Sequence, residues 1–287
     1  MRMIIIIFAD HLMAIQRNYY MRCAMLLNIE NLSKSWNQKE IIKDISFSVK
    51  KGQISCLLGP SGCGKSTILR LLAGLDEADQ GKILNNAQET SLIFQEPRLF
   101  PWLDVYENIE LVLKNLMPNL NEKKEIIDDV LHVVDLDDYK KYYPKELSGG
   151  MKQRVSIARA LAVDPELLLM DEPFSNLDFP LRLDLIHILQ RVFIPNDKAG
   201  IFVTHDNREA LLLCDHLMIM GTDPGQIKFE LDIDIPRESR ALNSPKLRSL
   251  NNQINDYTFQ DQKECCNRQM SYKSKRRYRM AFQNPKL

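Results

Sequence analysis

The segment Gly59–Thr67 reads GPSGCGKST and fits the pattern G-x-x-x-x-G-K-[ST]. Its glycines, Gly59, Gly62 and Gly64, permit positive φ and let the backbone come close to an anion. In such a loop successive N–H groups and the positive end of the following helix face phosphate oxygens. Lys65 is predicted to reach the β- and γ-phosphates, the Ser66 hydroxyl to bind Mg2+, and Thr67 to support the α-phosphate. Pro60, Ser61 and Cys63 complete the loop, Cys63 as a small filler. A second group lies in LLLMDEP, Leu167–Pro173, where Asp171 and Glu172 end an apolar run. Strand ends are where a doubly wound sheet sets its ligand groups. Asp171 suits Mg2+ held through water. Glu172, one residue on, suits polarisation of an attacking water, an assistance worth about 10²–10⁴ in rate. His205 follows the apolar run IFVT and is predicted to contact a γ-phosphate and sense its loss. His132, His187 and His216 have no such context, and no HExxH or paired-His spacing points to a histidine metal site.

These groups need a sheet with its strand ends aligned, and the pattern supplies one. LLNIENL and IIKDISFSV alternate as strands, while QISCLLG is a continuous apolar run that fits a strand buried on both faces. That run leads directly into the glycine loop, and STILRLLAGL then reads as a helix, the order a phosphate loop requires. KILNN and TSLIF are further short strands. From Leu103 to about Tyr143 the period turns helical, with one stripe at Ile126, Ile127, Val130, Val133 and Val134, and Pro118 separates two helices there. VSIARALAV continues as helix. LLLM, GIFVTHD and DHLMIMG return as strands, the last two separated by a helix, and QIKFELDIDI alternates like an antiparallel edge. The expectation is an α/β fold in which a helical subdomain, about 96–150, interrupts the strands.

The bulk numbers fit a globular chain of 287 residues, 45% hydrophobic and 26% charged, with zero formal net charge. That balance gives no footprint for a polyanionic partner, so no nucleic acid is expected. Basic charge collects near the end, at Lys263, Arg268, Lys273, Lys275, Arg276, Arg277, Arg279 and Lys286. Residues 1–24 are read as an extension, 25–255 as the folded domain and 256–287 as a basic tail. The six cysteines show no CxxC spacing, which fits reduced thiols. No run reaches the roughly 18 apolar residues that span a bilayer.

Taken with these groups, four more motifs make a set that resembles the nucleotide-binding subunits of ABC transporters, over about 26–235. In that family's terms Gly59–Thr67 is Walker A, Gln95 the Q-loop glutamine, LSGGMKQ at Leu147–Gln153 the signature, and Leu167–Asp171 with Glu172 Walker B. SNLD at Ser175–Asp178 is the D-loop, His205 the H-loop, and Trp36 sits where the family carries an aromatic that stacks on adenine. The resemblance implies a P-loop ATPase core with an antiparallel β edge, binding ATP and Mg2+, with Ser66, Gln95 and Asp171 at the metal. It further implies a head-to-tail dimer in which Ser148, Gly149 and Gly150 reach the γ-phosphate held by the second copy, with Asp178 beside that shared site. A serine hydroxyl and free N–H groups at a helix start are suited to that task.

IFQEPRLFPWLDVYENI at Ile93–Ile109 and MGTDPGQIKFELDIDIPR at Met220–Arg237 are similar to importers of nitrate, sulfonates and taurine. The segment Gln95–Trp102 is then expected to meet transmembrane permease subunits on the cytoplasmic face of the membrane, in a system with an extracytoplasmic solute-binding protein. An exporter ATPase would use the same motifs. A soluble ABC ATPase acting on DNA or ribosomes would usually add coiled coils, zinc modules or a second cassette, none of which is evident. Two departures stand out: Asn176 where a small residue is commoner, and only Lys82–Phe94 between Gly81 and Gln95. The solute is not written in this chain.

Overall fold

The computed structural model describes residues 25–114, 116, 119–175, 177–193 and 197–258. The expectations for 1–24, the basic tail beyond 258, Pro118 and Asn176 lie outside the described residues.

Two sheets organise the chain. Strands β1 (Met25–Trp36), β2 (Lys39–Lys50) and β4 (Gln80–Asn85) form an antiparallel sheet in the order β2-β1-β4. Strands β3 (Ile54–Leu58), β5 (Thr90–Ile93), β6 (Leu167–Asp171), β7 (Ala199–Thr204), β8 (His216–Gly221) and β9 (Gln226–Asp232) form the second, in the order β5-β6-β7-β3-β8-β9. Its pairs are parallel from β5 through β8, and β9 closes one edge antiparallel to β8. This is the expected α/β fold with an antiparallel edge.

The central strands are buried from end to end because both faces are covered. Alternate residues of β3 serve different cores: Ile54, Cys56 and Leu58 face one, and Leu57 faces the other with Ile68 and Val203. The short stretch after Gly81 is shared between the sheets. β4 ends the antiparallel sheet with most of its residues exposed, and β5 starts the edge of the parallel one.

The sheets carry helices α1 (Lys65–Leu72), α2 (Val105–Leu113), α3 (Leu120–Val133), α4 (Gly149–Leu161), α5 (Phe179–Phe193) and α6 (Asn207–Leu213), with short 3-10 turns at Asp137–Tyr139, Pro144–Glu146 and Arg237–Ser239. α2 starts at a capping box in which Asp104 Oδ1 accepts from Glu107 N and Asp104 N donates to Glu107 Oε2. The inner face of α3 differs from the expected stripe. Ile127 and Leu131, with Val134 just past the helix end, are fully buried, whereas Ile126, Val130 and Val133 are half-buried. The true spacing, four then three, keeps one line of side chains against α2 and α4, and the stripe had drawn in residues on its flank. A last helical run, 245–258, seats Leu247 and Ile254 in the core. It was not anticipated, because its apolar residues are sparse.

Candidate nucleotide site

β3 delivers the glycine loop to the top of the parallel sheet, and α1 leaves from it. Gly64 precedes the helix at φ 98, a left-handed conformation, and a Cβ there would lie 2.4 Å from Ile42 Cγ2. Only glycine answers both demands. Ile42 lies on β2 just past the hairpin turn that carries Trp36, which pairs with Lys39 in the β1–β2 ladder. Trp36 is 48% exposed, and Lys34 Nζ lies over its ring, 4.9 Å from the centroid. Lys65 is 4% exposed, and its Nζ donates to Gly59 O at 2.7 Å and Pro60 O at 3.0 Å. Cys63 is buried beside it, and burial raises its thiol pKa against the opposing pull of Lys65. That matches a packed filler and not a reactive thiolate.

The two carboxylates expected at the end of β6 arrive at this loop. Ser66 Oγ donates to Asp171 Oδ1 at 2.9 Å. Burial raises the Asp171 pKa, the bond from Ser66 lowers it in part, and the neighbouring Glu172 raises it again. Glu172 sits at φ 42, an uncommon left-handed conformation for this residue type. Its amide donates to Val203 O at 3.0 Å, so the backbone is held by the next strand while the side chain turns inward. Its carboxylate lies 3.0 Å from His205 Nδ1 and 3.8 Å from Lys65 Nζ. Strand ends from β3, β6 and β7 thus bring Lys65, Ser66, Asp171, Glu172 and His205 into one neighbourhood.

A support behind His205 escaped the sequence reading. Thr204 Oγ1 donates to Glu209 Oε2 at 2.5 Å and accepts from Asp206 N at 3.0 Å. Arg182 Nη1 bonds Glu209 Oε1 at 3.1 Å and Asp206 Oδ2 at 3.4 Å. Burial raises the Glu209 pKa, opposed by the Thr204 bond. The available signal was D-x-x-E at Asp206–Glu209, a helix-start pattern. Here the Glu turns away from the cap and holds Thr204 instead.

Gln95 Nε2 donates to Ser175 Oγ at 3.3 Å, joining the Q-loop to the D-loop segment. Asp178 Oδ1 accepts from Leu181 N at 3.1 Å and caps α5. Ser148 caps α4 by accepting from Met151 N at 3.2 Å. A Cβ on Gly149 would touch nothing within 4 Å, whereas one on Gly150 would sit 3.2 Å from Leu181 Cδ1. Gln95, Pro97, Gly149 and Leu177 help line a cavity of about 150 Å³. The signature therefore borders the Q-loop, while among the described residues no hydrogen bond joins Ser148–Gly150 to the glycine loop of the same chain. The Q-loop tip ends in Phe100 and Trp102, rings 5.5 Å apart and exposed by 37% and 68%. Asn108, fully buried, holds that tip: Oδ1 accepts from Phe100 N, and Nδ2 donates to the carbonyls of Phe100, Leu103 and Asp104.

A buried strand, a glycine loop, a lysine folded over it and acidic groups on the adjacent strand ends define a P-loop nucleotide-binding protein. The family description "ABC transporter" matches residues 42–175. The chain is 39% identical over 240 residues to the aliphatic sulfonates import ATP-binding protein of Bacillus thuringiensis subsp. konkukian, covering 78% of this chain and 94% of that one. It is 40% identical to the protein of the same name from Bacillus anthracis, with the same coverage. Among solved structures it is similar to the dimeric form of a bacterial ABC transporter cassette, with TM-score 0.66 and 26% identity over 73% of this chain and all of that one. The same cassette is also known as a dimer in a post-hydrolysis state, bound to ADP and Pi. The chain belongs to the ATP-binding proteins of the ABC transporter family and is a transport-coupled ATPase of the importer kind.

Proposed function

We propose that this chain is the motor of an importer for an organosulfonate-like solute, hydrolysing ATP between two copies of itself on the cytoplasmic face of a membrane. The observation that carries the reading is the carboxylate of Glu172, held 3.0 Å from His205 Nδ1 and 3.8 Å from Lys65 Nζ beside the glycine loop. A general base needs hydrogen-bond reach of its water and an oriented carboxylate, and His205 supplies the orientation.

Trp36 offers a face to adenine, and the N–H groups of residues 59–67 take the β-phosphate. Lys65 exchanges its carbonyl partners, Gly59 O and Pro60 O, for phosphate oxygens. Glu172 accepts a proton as water attacks the γ-phosphorus. The bond to the β-γ bridging oxygen breaks, and its electron pair leaves with ADP. His205 keeps Glu172 aligned through Nδ1 and lies beside the γ-phosphate, so its surroundings change when phosphate departs.

Ser66 and Asp171 fit Mg2+ by chemistry. Both present oxygen, they face each other at 2.9 Å, and burial of the Asp171 carboxylate outweighs the opposing pull of Ser66, Lys65 and Arg98. Among the described residues no group of three His, Cys, Asp or Glu could hold a metal, which suits an ion that borrows ligands from substrate phosphates. Gln95 is the third expected contact. Mg2+ would neutralise charge on the β- and γ-oxygens.

Ser148, Gly149 and Gly150 serve the ATP of the second copy, and Asp178 lies beside that junction. The tip at Phe100 and Trp102 meets the permease, and an extracytoplasmic binding protein brings the solute. Among the described residues no helix is long and apolar enough to cross a membrane, so docking to a permease is the expected attachment. The first experiment compares phosphate release by the full chain and by Glu172→Gln. Loss of turnover of about 10²-fold or more with ATP binding retained supports the reading; equal rates overturn it. Solute class is read from uptake of an alkanesulfonate by cells that carry this chain with its permease, against taurine and nitrate.

A further inference from the structure

Arg159 lies in the last turn of α4, the helix that begins at the signature, and none of the site motifs includes it. Its guanidinium reaches 61 and 62 positions back along the chain. Nη1 donates to Arg98 O at 3.0 Å and Nη2 donates to Pro97 O at 2.9 Å. Both carbonyls belong to the loop that starts at Gln95. Arg159 is half-buried, and among the described residues no carboxylate pairs with it. Among the described residues its hydrogen bonds go to these two backbone oxygens. Charged donors make stronger bonds than neutral ones, and the planar fork fixes direction as well as distance.

The loop has a reason to need this hold. Arg98 sits at φ 47, left-handed, with its side chain over the Phe94 ring at 3.9 Å. Such a conformation persists only where its surroundings impose it. Asn108 pins the stretch from Phe100 to Asp104, but it does not reach Pro97 or Arg98. Among the described residues Gln95 has one side-chain bond, the 3.3 Å contact with Ser175. Between Gln95 and Asn108's grip, Arg159 is the fastening.

We propose that Arg159 is a positioning residue that locks the Gln95 loop to the signature helix, so that these two catalytic segments move as one body. The inference rests on the reading of Gln95 as a catalytic-site residue. Arg159 touches no reacting atom and acts through Gln95. A misplacement near 1 Å can cost about 10²-fold in rate, so release of this loop lowers kcat and leaves KM, which Trp36 and the glycine loop set.

The test uses the full chain with Arg159→Met, which keeps the aliphatic stem, and Arg159→Lys, which restores a charged donor group without the planar fork. Steady-state ATPase is measured in both the natural and the Gln95→Ala backgrounds. Arg159→Met is expected to lower kcat between about 10- and 100-fold with KM within twofold. Arg159→Lys recovers part of the loss, and in the Gln95→Ala background Arg159→Met adds no further loss. A kcat equal to the parent, or full additivity with Gln95→Ala, overturns the proposal. Hydrogen exchange of peptides across 96–101 in the nucleotide-free protein provides a readout independent of catalysis: faster exchange in Arg159→Met is expected, and unchanged exchange overturns the proposal. The parent and Glu172→Gln run alongside. If those two do not differ, the functional reading has failed, and the exchange experiment still judges the clamp.

Discussion

The Ser66 hydroxyl donates to Asp171 Oδ1 at 2.9 Å, joining the first turn of α1 to the end of β6 across 105 positions of sequence. One neutral hydroxyl does not offset the burial of a carboxylate, which is why the Asp171 pKa stays raised despite the bond. The same neighbourhood holds a second carboxylate, Glu172, and a single near-buried cation, Lys65, whose bonds go to carbonyls of its own loop. Lys65 and Arg98 draw on the Asp171 carboxylate only enough to offset its burial in part, so a cation bound there would relieve the remaining desolvation cost.

Asp171→Asn is therefore expected to raise the melting temperature of the nucleotide-free protein at pH 7. The sign follows from linkage. A carboxyl whose folded pKa is raised contributes stability fully below its ordinary value and loses it as pH rises through the raised value. The amide keeps the oxygen that Ser66 bonds and has no charge to desolvate. Its advantage should shrink as pH falls toward the ordinary carboxylate range. Thermal denaturation between pH 4 and 7.5 measures this, and the stabilisation that MgATP gives the parent should be largely absent from the variant.

Asn108→Ala is expected to destabilise the fold. Asn108 is fully buried, and its removal takes the partner from Phe100 N and from the Leu103 carbonyl, while the Phe100 carbonyl keeps its bond from Leu103 N. Unmet buried polar groups of this kind make a loss of about 2–3 kcal/mol reasonable. For a chain of this size the melting temperature should fall by about 4–12 °C. Basal ATPase should stay within a few-fold at 20 °C, whereas capture of the permease, measured by co-purification, should drop because Phe100 and Trp102 lose their fixed presentation.

The chemical groups were legible because each motif is short and its task local. A glycine loop between a buried strand and a helix, and acids at the next strand's end, announce themselves by residue type and spacing. Ile54–Leu58 and Ala199–Thr204 were legible as continuous apolar runs. What was not legible is what holds these groups in place. Arg159 in the run IARAL looks like any helix-surface cation until its carbonyl partners are known. Arg182 and Glu209 are 27 positions apart, and Asn108 is an ordinary helix residue whose value lies in a neighbouring loop. α3 shows the same limit at smaller scale: the period identified the helix, but its partners α2 and α4 chose which residues face inward.

Ser148→Arg is expected to separate ATP binding from ATP-driven pairing. Among the described residues the Ser148 hydroxyl makes one bond, accepting from Met151 N, and a Cβ on Gly149 beside it would meet nothing within 4 Å. Loss of the cap costs about 1 kcal/mol, too little to unfold the protein. The affinity of one copy for ATP should stay within twofold. In the Glu172→Gln background, which retains ATP, size-exclusion chromatography should show the parent shifting to a dimer and the Ser148→Arg variant remaining monomeric. A dimer of normal stability would remove Ser148 from the shared site.

Gly225→Ala addresses the glycine loop from behind. Gly225 lies in the turn between β8 and β9, where its amide donates to Ile41 O at 2.8 Å and its carbonyl accepts from Lys43 N at 3.0 Å. A Cβ there would lie 2.0 Å from Cys63 O, and that oxygen belongs to the glycine loop proposed to hold phosphate. Backbone cannot rotate away as a side chain would, so the loop must shift. Overpacking of this kind costs about 1–3 kcal/mol. If most of it is felt by the loop, ATP affinity should fall about tenfold, the equivalent of about 1.4 kcal/mol. Gly74→Ala is the control: Gly74 has φ 67 and nothing within 4 Å of a Cβ, so that variant strains the backbone just past the end of α1 without pressing on the glycine loop. It should lose some thermal stability and keep the parent's affinity for a fluorescent ATP analogue. Equal affinity in all three proteins would mean that the β8–β9 turn does not shape the phosphate loop. Weakened binding in Gly225→Ala alone would mean that the turn sets the loop's position.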